Sequence, residues 1–137
     1  MITAVDTNVL IDVISGTPEQ IRQNENALRN ALAEGDILIS LICYAELAGR
    51  FPQKRDLDIF LDLTGAAVTP LEPTAAHLAG RFFRDYLQRG GPRTRILPDF
   101  LIAAHAELHA DRLLTRDKRF FSTTFPKLKA VSPADLA

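Results

Sequence analysis

The sequence predicts an α/β domain in which helices flank a central, mainly parallel sheet of four to five strands. Two observations carry this. Short aliphatic runs recur at lengths suited to buried strands, and segments of helical period separate them. Strands that alternate with helices favour parallel pairing, because a parallel neighbour needs a crossover that a helix supplies. A third observation bounds the answer: 137 residues with no repeat, low-complexity tract or linker read as one domain, 1–137, with room for a real core.

In chain order, Ile2 to Val5 is a buried first strand that stops at Asp6. Leu10, Val13 and Ile14 share one helical face, and Asp6 stands where that helix needs an N-cap. Thr17-Pro18-Glu19-Gln20 starts a second helix with a capping Thr, Pro in the first turn and Gln three residues on. Ile21, Leu28, Ala31 and Leu32 are its expected apolar stripe, and Gly35 ends it. Ile37 to Leu41 is the second strand, followed by a helix with Tyr44, Glu46 and Leu47 and another over Asp56 to Leu63. Ala66 to Val68, closed by Pro70, is the third strand. Pro73 then opens a long helix whose Ala75, Ala79, Phe82, Phe83 and Tyr86 keep helical spacing. Gly90-Gly91-Pro92 breaks it, Pro98 opens a further helix, and strands are expected at Arg112 to Thr115 and Leu128 to Val131.

Composition excludes several classes. Net charge is −1, which argues against a protein that coats DNA by phosphate neutralisation but leaves room for local grip on a few phosphates. No apolar run approaches the roughly 18 residues of a membrane span, and the N-terminus lacks the basic start of a secretory signal. A single cysteine, Cys43, among Ile42, Tyr44 and Ala45 reads as a buried, inert thiol and suits a reducing cytoplasm. His105 and His109 are an i, i+4 pair, but Glu107 lies at the wrong offset for a zincin helix. His105 also turns roughly 120° from the face of Asp99 on the same helix. Gly90-Gly91-Pro92-Arg93 lacks the spacing of a Walker loop.

Four acids draw the eye to one edge. In a parallel sheet, strand C-termini and crossover-helix N-termini share an edge, where such folds place their sites. Asp6 follows the first strand, Glu46 lies early in the helix after the second, Asp99 opens the helix at Pro98, and Asp117 follows the fourth strand. Carboxylates held together raise one another's pKa unless a cation neutralises them. Hard oxygen ligands in that number suit Mg²⁺ or Mn²⁺ rather than zinc, and a bound water then becomes a nucleophile for phosphodiester hydrolysis. Each acid also has a plainer reading: Asp6 as N-cap, Asp99 as a helix-dipole partner, Asp117 as a turn residue, Glu46 as an exposed helical acid.

The segments VDTNVLIDV, AEL around Glu46, RILPDFLIAAHA and LLTRDKRF together resemble a PIN domain, and more narrowly the VapC toxins of bacterial toxin–antitoxin pairs. The motifs keep the family's order and span nearly the whole chain. The resemblance implies a PIN-like α/β/α sandwich and a Mg²⁺- or Mn²⁺-dependent endoribonuclease whose acids are Asp6, Glu46, Asp99 and Asp117. It adds Asn8 and Thr115 as supporting polar residues, for which turn and cap hydrogen bonding is the alternative. It also implies a VapB-type antitoxin as partner, an RNA substrate, and a homodimer within a larger assembly.

Arg93 and Arg95, with Arg116, Lys118 and Arg119 beside Asp117, are expected near the same edge, as RNA contacts or as a merely solvated basic surface. The Phe82, Phe83 and Tyr86 stripe reads as core or dimer interface. Phe120, Phe121 and Phe125 read as packing for the C-terminal segment, with a substrate groove as the alternative. A dehalogenase-type phosphatase needs D-x-D where this chain has Asp6-Thr7-Asn8, and a receiver domain needs an acid where it has Val68-Thr69-Pro70. The remaining alternative is a non-catalytic module of the same fold that acts through antitoxin or nucleic-acid binding.

Overall fold

A computed structural model describes residues 1–137. The strands are β1 (Ile2–Val5), β2 (Asp36–Ser40), β3 (Ala66–Thr69), β4 (Arg112–Leu114) and β5 (Ala130–Val131). The helices are α1 (Thr7–Ser15), α2 (Pro18–Glu34), α3 (Leu41–Ala48), α4 (Lys54–Thr64), α5 (Pro73–Gln88), α6 (Leu97–His109), α7 (Lys118–Thr124) and α8 (Pro133–Leu136). The sheet has five strands in the order β3-β2-β1-β4-β5, and every pairing is parallel. Strand order grows outward from β1 to β3, then restarts on the other side with β4. The crevice at the carboxyl ends of β1 and β4 is therefore a topological switch point, where open parallel sheets place ligands.

Register fixes what meets there. Val5 pairs with Leu114, and the Asp6 amide continues the ladder to the Leu114 carbonyl at 2.9 Å. The next residues, Asp6 and Thr115, thus lie side by side beyond the strand ends. Helices start abruptly after the strands. The Ser40 hydroxyl accepts from the Cys43 amide and starts α3 directly after β2. Leu41 is therefore the first residue of α3 rather than the last of β2, and it is exposed.

The capping box at Thr17 and Gln20 forms as expected, with both reciprocal bonds present. The buried face of α2 differs: it is Asn24, Ala27, Leu28 and Ala31, while Leu32 is exposed and Ile21 half-buried. The stripe rotates because Asn24 is buried for a polar reason, donating its side-chain amide to the Val9 carbonyl at 3.0 Å. In α4 only Leu57 and Leu61 are buried, and Leu63 is exposed. The aromatic residues of α5 turn inward. Phe83 and Tyr86 pack on fully buried Phe100, and Phe82 stacks on Phe125 with centroids 4.6 Å apart. The stripe is core, and Phe121 and Phe125 are buried in packing the C-terminal segment. Cys43 is buried, and burial pushes its thiol up to about 12, so it is inert. No helix is long and apolar enough to cross a membrane.

Candidate active site at the carboxyl edge of the sheet

Asp6 occupies the N-cap position of α1, but its side chain makes no cap hydrogen bond. Its Oδ2 instead accepts from the Thr115 hydroxyl at 2.8 Å, and that hydroxyl oxygen accepts from the Asp117 amide at 3.0 Å. One threonine thus links the ends of β1 and β4. Asp6 is only 6% exposed. Burial raises its pKa to about 6, against the Thr115 bond that lowers it, and the charges of Asp99, Asp117 and Glu46 raise it further. A carboxylate that caps a helix accepts from the amides of its first turn, and this one accepts from Thr115 instead. The plain reading of Asp6 as a cap fails.

The other three acids surround it on separate elements. Glu46, on α3, accepts from the Thr7 hydroxyl at Oε1, 2.7 Å away. Asp99, in the first turn of α6, accepts from the Ile96 amide at 3.2 Å, so it does serve its helix terminus. Burial nevertheless raises the Asp99 pKa, opposed by the Ile96 amide and Arg95, with Asp117 adding to the rise. Asp117 Oδ2 receives two donors, Asn8 Nδ2 and Arg95 Nη1, each at 3.3 Å. Asn8 Oδ1 also accepts from the Arg116 amide at 3.2 Å, so Asn8 ties the first turn of α1 to the β4–α7 turn.

The four acids share a neighbourhood and an electrostatic field, yet they do not present a finished ligand set. No three acidic, histidine or cysteine side chains converge closely enough to hold one ion. The cause is visible: Glu46 is turned to Thr7, and Asp117 to Asn8 and Arg95. The donor chemistry itself fits a hard divalent cation. The set is all oxygen and all anionic, and it includes a buried carboxyl whose ionisation the fold opposes.

The expected basic residues fare differently. Arg93 is exposed and unpaired. Arg95 lies with its guanidinium carbon 4.0 Å from the Phe120 ring centroid while reaching Asp117. Arg116 grips both oxygens of Asp12 at 2.8 and 2.9 Å and also lines the groove beside Asp117. Lys118 pairs with Asp135. A groove of about 580 Å³ borders Asp117 and is lined by Tyr86, Thr94, Arg95, Arg119, Phe120 and Thr123 among others. A more apolar groove of about 370 Å³, with Val13, Leu28, Leu32, Phe60 and Leu63, holds none of the four acids. Thr7, the Glu46 partner, was not singled out from sequence, although its place between Asp6 and Asn8 could have marked it.

His105 is turned from the acids, as the helical offset requires. Its Nε2 meets the Thr69 hydroxyl at 2.6 Å, and burial, then His109, lower its pKa. His109 pairs with Glu72. Both histidines already have partners unrelated to the acidic edge.

Fold and crevice together define an all-parallel α/β domain with an acidic switch point. The chain belongs to the PIN domain family, whose model matches residues 3–126, and PIN domains are nucleases as a class. It is similar to the structure of VapBC2 from Rickettsia felis bound to a DNA fragment from its promoter. Identity there is 26%, over 96% of this chain and 98% of that one, with a TM-score of 0.73. A toxin–antitoxin complex from Klebsiella pneumoniae is also 26% identical, over 96% of this chain and 97% of that one, with a TM-score of 0.65. VapBC-1 from nontypeable Haemophilus influenzae shares the fold at 21% identity and a TM-score of 0.75, over 98% of this chain and 99% of that one. No curated protein sequence matches the chain.

Proposed function

We propose that this chain is a VapC-type toxin: a single PIN domain that hydrolyses RNA phosphodiester bonds with Mg²⁺ or Mn²⁺ and is neutralised by a VapB-type antitoxin. The observation that carries the reading is Asp6, a carboxyl buried at the switch point among three further acids, with no cation of the chain's own bonded to it. Asp6 and Asp99 are the direct ligands in this reading, and Glu46 and Asp117 act partly through bound water. A divalent cation held there supplies charge compensation, an acidified water and stabilisation of the leaving oxygen. Thr115 holds the Asp6 carboxylate in place, and Asn8 holds the turn that carries Asp117. Arg93 and Arg95 contact RNA phosphates. Arg116, paired to Asp12 but 54% exposed and lining the same groove as Arg95, is a further residue for such a contact. A homodimer within a toxin–antitoxin assembly in the cytoplasm completes the proposal, consistent with a likeness to complexes of that kind.

One observation favours the alternative of a non-catalytic module that acts through antitoxin or nucleic-acid binding: the acids do not converge as a preformed set. An RNase assay on the chain freed of any partner separates the two. Cleavage that EDTA and Asp6→Asn each abolish is the expected result. A folded protein that cuts no RNA with either metal would leave the binding module standing. Sequencing RNA 5′ ends after brief expression then identifies the target.

A further inference from the structure

Arg95 stands at an unusual place for an RNA-binding side chain, because it is already engaged. Its Nη1 reaches Asp117 Oδ2 at 3.3 Å, and its guanidinium lies over Phe120. The side chain is 27% exposed, against 37% for Asp117. Arg95 is the one cationic side chain that contacts any of the four acids directly. Its charge also opposes the upward shift at Asp99, so it acts on two of them. The loop that carries it is anchored at its base, where the Tyr86 hydroxyl donates to the Pro92 carbonyl at 2.8 Å and Gly90 takes a positive φ of 78°. Beyond Pro92, only a long 3.4 Å bond from the Arg95 amide to the Pro92 carbonyl ties the backbone before α6 begins to be capped.

We infer that Arg95 is a displaceable internal counter-ion of Asp117, which it gives up when a divalent cation enters the acidic crevice. The inference rests on the metal-dependent reading above and deepens it. It accounts for one of the two respects in which the site is unfinished: Asp117 Oδ2 is held by protein donors, Asn8 and Arg95, as Glu46 is held by Thr7. A single half-exposed ion pair is weak, and stacking on an aromatic ring adds little more. A doubly charged ion facing several carboxylates therefore outcompetes one guanidinium. In the partner-free chain, the guanidinium offsets part of the like-charge repulsion that would otherwise act on Asp117 and Asp99. Arg95 is thus a positioning residue in the resting state. Its loss should strengthen cation binding, the opposite of what a residue that helps build the site would do.

The test is Mn²⁺ binding to the partner-free chain, measured by calorimetry and by the loss of the free-ion EPR signal. Arg95→Gln should tighten Mn²⁺ binding by about three- to tenfold, the size expected for removing a weak competing pair. Arg95→Lys should stay nearer wild type. Arg93→Gln, which removes an equal charge from the same loop without touching an acid, should shift affinity by clearly less. In an Asp117→Asn background, Arg95→Gln should lose its effect, since the two would no longer couple. Equal tightening in Arg93→Gln and Arg95→Gln would show a general field effect and overturn the inference, as would unchanged or weaker binding in Arg95→Gln. Mn²⁺ binding that requires Asp6 yet ignores Arg95 defeats the counter-ion alone. Absence of Mn²⁺ binding in wild type and variants alike defeats the metal reading and the counter-ion with it.

Discussion

The two edges of the sheet each bury a charged residue beside the β1–β4 pair, and they treat it in opposite ways. At the amino edge, Arg112 is 4% exposed. Its Nε donates to the Thr3 hydroxyl at 2.9 Å, and its Nη2 lies 3.1 Å from Glu34 Oε2. That last contact balances charge without the alignment of a hydrogen bond. At the carboxyl edge, Asp6 is buried to a similar degree, but it has one hydroxyl for a partner and three like charges nearby. Burial of a charge is costly unless a partner offsets it. The fold meets that requirement within the chain at one edge and leaves it unmet at the other. The unmet edge is the one where a parallel sheet binds its ligands.

The largest expected effect tests the unbalanced edge. Asp6→Asn should lower RNA cleavage by at least about a hundredfold, the scale on which charged catalytic groups act. It should do so without unfolding the protein, because the neutral amide relieves the cost of a buried charge. A gel-based cleavage assay beside circular dichroism checks both. Loss of folding in this variant would mean that Asp6 is structural.

The same residue predicts a pH dependence. The folded pKa of Asp6, about 6, lies above its ordinary value of 3.8. The folded state therefore holds its proton more tightly than the unfolded state does. Its contribution to stability is full below pH 4 and is lost as pH rises through about 6. The difference corresponds to about 3 kcal/mol at most. Denaturant titrations of the metal-chelated protein at pH 5 and 7.5 should show about half of that loss, and Asp6→Asn should flatten it. A stability that rises over this range in wild type, or an unaltered slope in the variant, would contradict the assignment.

These expectations show which links were legible in the sequence. Local signals were: Thr17 and Gln20 announced the α2 start, the alternation of strands and helices announced parallel pairing, and the acids fell at positions that a parallel sheet brings to one edge. Part of the end of the chain was missed although its signal was local. Ser132-Pro133-Ala134-Asp135 forms a capping box that starts α8, while α7 has no side-chain cap to mark it. What no local pattern could give is pairing over long separations. The Arg116–Asp12 bridge, the Asn8–Asp117 bond and the rotation of α2 around Asn24 all join residues that only the fold brings together. The N-cap reading of Asp6 was right about backbone position and wrong about the side chain for the same reason, since its partner Thr115 comes from β4's end.

The balanced edge supplies the contrasting, smaller effect. Glu34→Ala removes the counter-charge of Arg112 and should cost about 1 kcal/mol, near the low end for an orphaned buried group, because half-exposed Glu34 lets water replace it. Cleavage per folded molecule should not change. If Glu34→Ala impaired cleavage while sparing stability, the two edges would not be independent.

The smallest effect sharpens the comparison at a single hydroxyl. Thr115 does for Asp6 what Thr3 does for Arg112, offering one polar atom to a buried charge. Thr115→Val keeps the shape and removes that atom, and with it the bond that most opposes the rise of the Asp6 pKa. The folded pKa should then climb above its present value, so the pH-dependent loss of stability should extend further toward alkaline pH. At pH 7.5 the variant should be less stable than wild type by about 1 kcal/mol, the net contribution of one such bond. Well below pH 4, where Asp6 is protonated in both folded and unfolded chains, the part due to the charged carboxylate should vanish and leave the pH-independent cost of the unpaired Asp117 amide. A penalty of equal size at both pH values would assign Thr115 to packing and to the Asp117 amide, and the hydroxyl would have no part in holding the carboxylate.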